Sequence, residues 1–235
     1  MKKLNFNSTN YLFGDVFCDS IITPLGVIKL SIFLEKNNLN NIEIVNNDKF
    51  TKFKVFNDNI LIEIIKSDIC TSHYEEFGIN FLLNWIVKFI TLKEKQDITL
   101  VLSYENINSI ENLEIDLPSG QYYFSTNINN SKHSLSIGME DYDFLEERFN
   151  ENNFLSYDVF NKINKTPLSE IEKNNSYIIK LSDLNINDEN ILQFSMAYSD
   201  KYLGKDNYTS CAIGPVDLKS FCNKLGINEF LDKRY

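Results

Sequence analysis

The stretch Ser72-His-Tyr-Glu-Glu-Phe-Gly-Ile-Asn-Phe-Leu-Leu-Asn-Trp-Ile-Val-Lys-Phe-Ile-Thr-Leu-Lys-Glu-Lys95 decides the fold, and it carries the chain's single tryptophan, Trp85. Its polar residues Glu76, Asn80, Asn84, Lys88, Thr91 and Lys95 recur at helical steps and define one narrow stripe. Ser72 and Glu75 fit a capping box, in which each side chain satisfies an amide left free by the first turn. Glu75 and Glu76 suit the positive end of a helix dipole, and Lys93 and Lys95 the negative end. The spacing predicts a helix over 72–95. Large apolar residues fill the rest of its circumference, so this helix must be covered on more than one side. A membrane span is the competing reading. The apolar part is shorter than the roughly 20 residues a span needs, and Asn80, Asn84 and Lys88 would sit at its centre.

Around this stretch the chain reads as short strands. Val27–Leu34 alternates, and Ile42–Val45, Phe50–Phe56 and Ile60–Ile65 follow between turn-forming residues. Beyond it, Ile98–Ser103 is strongly apolar. Leu113–Leu117 and Gln121–Thr126 flank Pro118-Ser119-Gly120 as a hairpin. His133–Met139, Tyr177–Leu181 and Ile191–Tyr198 are further strands. Short helices are expected at Asp143–Asn150, after Thr166-Pro167, and over Val216–Leu225 with Gly226 to stop it. The expected fold is α+β: a mainly antiparallel sheet packed around one long buried helix, about 72–95, with smaller C-terminal helices. We read residues 1–235 as a single domain, with 127–132 as the place where a boundary would fall.

Composition narrows the function classes. Of 235 residues, 43% are hydrophobic and 24% charged, which is ordinary for a folded domain. The net charge of −10 opposes unaided binding to nucleic acid or to an anionic membrane, both polyanions. It suits a protein partner with a basic surface. Four scattered cysteines, Cys18, Cys70, Cys211 and Cys222, resemble free thiols more than a disulfide framework. The N-terminus lacks the apolar run of a signal peptide, so the expected location is cytoplasmic.

Motifs for catalysis are sparse. Cys70 and His73 are close in sequence, but zinc needs about four ligands and the chain has two histidines. A cap-adjacent surface histidine beside a buried thiol is the simpler reading. No phosphate-binding glycine loop and no nucleophile elbow occur. No cofactor is expected. Tyr198, Tyr202 and Tyr208 read as polar-aromatic hairpin ends. The densest charge feature is the acidic run Glu140-Asp-Tyr-Asp-Phe-Leu-Glu-Glu147. Aromatics interleaved with acids suit an interface, where aromatics anchor and charge steers. Asp141, Tyr142, Asp143, Phe144, Glu146 and Glu147 are therefore the expected partner-binding residues. The functional expectation is a cytoplasmic protein-binding protein of the toxin-neutralising, immunity type. Two alternatives are an enzyme with carboxylates drawn from distant residues, and a small-ligand carrier with a pocket beside the central helix.

Overall fold

In the computed structural model the described residues are 8–13, 16–35, 39–106, 112–116, 123–151, 153–171, 176–200, 209 and 212–233. Its strands are β1 (Ser8–Phe13), β2 (Val16–Ile22), β3 (Gly26–Leu34), β4 (Asn41–Asn46), β5 (Thr51–Phe56), β6 (Ile60–Ser67), β7 (Phe81–Thr91), β8 (Gln96–Asn106), β9 (Asn112–Asp116), β10 (Tyr123–Asn129) and β11 (Ser134–Glu140). Helices α1 (Tyr142–Asn150), α2 (Tyr157–Lys165) and α3 (Leu168–Ile171) follow, then β12 (Ser176–Leu184), β13 (Glu189–Ser199) and α4 (Leu218–Leu225). The strands form two antiparallel sheets, β1-β2-β3-β8-β12 and β4-β5-β6-β7-β13-β11-β10-β9.

This overturns the expected central helix. Thr71–His73 and Glu75–Phe77 are two short 3-10 turns, and no side-chain cap forms on either. Gly78 then takes φ 79°, a left-handed conformation that ends helical winding without a Cβ penalty. From Phe81 the chain is a strand in the middle of the larger sheet, between β6 and β13. The physical reason lies in the spacing. Asn80, Asn84 and Lys88 differ by four, and an even step keeps residues on one face of a strand as well as on one stripe of a helix. Phe81, Trp85, Ile86, Val87, Phe89, Ile90 and Thr91 are β-branched or aromatic, which tips the balance toward strand. Thr71 Oγ1 accepts from the Leu82 amide and donates to its carbonyl, both at 3.0 Å, so the turns are tied to the strand they precede.

Both faces of β7 are buried. Leu83, Trp85, Val87 and Phe89 point into the main core, which gathers side chains from both sheets, including Leu30 and Ile32 of β3 and Leu100 of β8. Leu145, Val159, Ile163 and Ile171 of α1, α2 and α3 join that core, and α2 and α3 lie against β12. The opposite face of β7 is covered by the C-terminal region. Ile86 packs with Ile65, Ile191, Phe221, Leu225 and Phe230. Lys88, expected on the narrow polar stripe of a helix, is 1% exposed. Its ammonium donates to the carbonyls of Phe230 at 2.9 Å and Asp232 at 3.0 Å and pairs with Glu189 at 3.1 Å.

A buried carboxylate links the two sheets across the main core. Asp19 of β2 is fully buried, accepts from the Trp85 indole at 2.8 Å, and takes two bonds from Lys66 of β6 at 2.8 and 3.0 Å. It ties the smaller sheet to the larger one. Asn127–Asn129, at the start of the segment where a domain boundary would fall, are the end of β10 and pair with β11.

Candidate functional site

The acidic run falls on α1 and on the residues that introduce it. Asp141 caps the helix, and its carboxylate accepts from the Phe144 amide at 3.0 Å. Burial raises the Asp141 carboxyl above its ordinary range, and the bond from the Phe144 amide partly offsets this. Tyr142 is half-buried. Its hydroxyl donates to the Thr166 carbonyl at 2.6 Å, and its ring meets Phe124 edge-on at 4.9 Å. Phe144 is half-buried, while Asp143, Glu146 and Glu147 are exposed. Steps of three and one along a helix place those three carboxylates on one face. Glu151, just beyond the helix, is exposed too.

The helix is held firmly from beneath. Arg148 is 2% exposed and meets Glu140, itself fully buried, at 2.5 Å. The second guanidinium nitrogen donates to the carbonyls of Asn153, Phe154 and Ile191 at 3.0, 3.3 and 2.9 Å. Glu140 also accepts from the Gln193 amide at 3.0 Å. Burial raises the Glu140 carboxyl, with Arg148 the strongest opposing influence. The lateral contact is aromatic: Phe149 stacks on Phe160 at 4.7 Å and leans on Tyr157 at 6.0 Å.

Of the six expected residues, Asp143, Glu146 and Glu147 present charge to solvent. Asp141 and Tyr142 make internal bonds, and Phe144 lies between. Sequence reasoning missed Tyr157, which is 63% exposed and sits beside Phe149 of α1. Ser156 before it accepts from the Val159 amide and starts α2. That N-cap, followed by Val159 and Ile163 one turn apart, was the available signal.

A cleft of about 280 Å³ opens at the other end of the larger sheet, lined by Asp48, Lys49, Asp68, Thr71, Ser72 and Glu75 among others. Three carboxylates and one lysine are among its lining residues. Among the described residues no group of three or more His, Cys, Asp or Glu is arranged to hold a metal ion. Burial raises the Cys70 thiol, with Lys224 opposing, which disfavours the reactive thiolate. His73 Nε2 lies 3.2 Å from Lys224 Nζ rather than beside that thiol as a bonded partner. Trp85 lines none of the main clefts among the described residues; it faces the closed core. Tyr202, Tyr208 and Cys211 lie outside the described residues. No helix among the described residues is long and apolar enough to cross a membrane, which does not bear on β-barrels. No protein-family model matches the sequence, and no curated protein matches it.

Proposed function

We propose that this chain is a protein-binding protein whose docking surface is the acidic face of α1. The observation that supports this best is a carboxylate row, Asp143, Glu146 and Glu147, exposed on a helix fixed underneath by the Glu140–Arg148 pair. A rigid support lowers the ordering cost that association must overcome. Tyr157 supplies an exposed aromatic next to the row. The partner class is a protein with a basic surface. Toxin neutralisation is the particular form of this reading, and its support is the acid excess and the cytoplasmic expectation rather than any motif.

The test begins with capture of a partner from the native host, or co-expression with the neighbouring gene product. Association rates are then measured across a salt series. Reversing Glu146→Lys and Glu147→Lys together slows association about tenfold at low salt, the lower end of electrostatic steering, and flattens the salt dependence. Tyr157→Ala leaves the association rate nearly unchanged and speeds dissociation about tenfold, as loss of an aromatic anchor does. Coincident salt curves for wild type and the double reversal would remove α1 from the interface.

A further inference from the structure

Among the described residues, strand β4 is the outermost strand of the larger sheet, with β5 on one side. The Asn47 amide donates to the Phe50 carbonyl at 3.0 Å in the same register as the β4–β5 ladder. Bonded and non-bonded pairs alternate in an antiparallel ladder. Asn41, Glu43 and Val45 therefore bond to β5, and the amides and carbonyls of Ile42, Ile44 and Asn46 face the outer edge. Every residue of β4 except Ile42 is exposed. Ile44 is 42% and Val45 55% exposed, so apolar side chains stand on both faces of this edge. Edges are commonly blunted by lysine, proline or a bulge. β4 contains neither residue, and its ladder with β5 runs without a register shift.

We propose that β4 pairs antiparallel with β4 of a second copy, joining the two larger sheets into one. The sequence of the edge argues for this occupant. Only outward-facing residues can exchange bonds across the new ladder, so the two-fold pairing that uses all three is centred on Ile44. Ile44 then opposes Ile44, Ile42 opposes Asn46, and Glu43 opposes Val45. No charge meets its like, whereas centring on Glu43 would set two carboxylates against each other at a cost. The neighbourhood is also locally neutral. Glu43 pairs with Lys54 at 3.1 Å, and Glu63 with Lys52 at 2.8 Å. The remaining negative charge is screened over about 8 Å at physiological salt. A six-residue strand pair falls at the small end of interface size, so the association is weak.

Sedimentation velocity on the full chain, from micromolar to hundreds of micromolar, reads this directly. The wild type shifts toward a dimer as concentration rises. Ile44→Lys, which sets two ammonium groups opposite each other, stays monomeric throughout. Val45→Lys brings a lysine against Glu43 of the other copy and tightens the dimer. Val45→Glu loosens it, with dissociation constants at least severalfold apart. Thermal melts at low concentration check that each variant is folded, and the Val45 pair carries the test if Ile44→Lys is not. A wild type that stays monomeric overturns the proposal and leaves the edge to a strand of another protein. A dimer indifferent to Ile44→Lys, or equal behaviour of Val45→Lys and Val45→Glu, overturns it as well.

Discussion

Replacing Trp85 with alanine lowers the unfolding free energy by about 3–5 kcal/mol, the range for emptying a large buried aromatic site. The value falls toward the upper end for a reason specific to this site. The indole is fully buried in the middle strand of the larger sheet, and its N–H is one of the donors to the buried Asp19 carboxylate. Alanine opens a cavity and removes that donor together. Trp85→Phe separates the two effects, since it keeps most of the ring volume and leaves Asp19 one bond short, at about 1–3 kcal/mol. Urea melts of the three proteins decide it. A midpoint for Trp85→Ala equal to wild type would mean that the indole is not in the core.

The second large effect is at Arg148. Arg148→Met destabilises the fold by about 3–5 kcal/mol at neutral pH, because it leaves the Glu140 charge buried without its cation. Its sign of pH dependence follows from the Glu140 carboxyl. Burial already raises it, and Arg148 pulls it back. Without the guanidinium it rises further. A carboxyl raised in the folded state binds its proton more tightly there than in the unfolded chain, so falling pH favours the fold. The loss caused by Arg148→Met is therefore largest at neutral pH and above, and it shrinks as Glu140 takes up a proton in acid. Melts at about pH 7 and about pH 5 measure the difference. Adding Glu140→Gln to Arg148→Met removes the pH dependence of the loss. An equal loss at both pH values in the single variant would place its cause elsewhere than Glu140.

The strands that alternate, such as β3, and the helix α4 with its Gly226 stop were legible in the sequence. Their burial pattern matches one period and their ends carry turn or cap residues. β7 was not legible. A strand buried on both faces shows no apolar–polar alternation, and its polar residues fell at steps shared by both periods. The stop at Gly78 was present but was outweighed by the capping pattern before it. The sequence reads one strand over Tyr11–Phe17, which reaches only the start of β2; the rest of β2 was obscured by Asp19, a charge inside a core strand, whose partners Lys66 and Trp85 are remote in sequence. The acidic row was legible as composition. Its division into exposed carboxylates and internally bonded residues turned, for Tyr142, on the positions of Thr166 and Phe124, which no local pattern supplies.

The middle of the larger sheet joins β7 to β13, with Ile90 opposite Glu189 and Phe81 opposite Tyr198. During synthesis β4 to β7 emerge as a meander of neighbours, each able to pair with the one just made. The far edge of β7 has no mate until β13 leaves the ribosome. At about 5–20 residues per second, that interval is roughly 5–20 s. For that time the nascent chain carries an open strand edge flanked by Trp85, Ile86, Val87 and Phe89, the kind of surface that chaperones hold and that aggregates when they do not. The pairing also gives the fold a high contact order, which slows refolding of the finished chain.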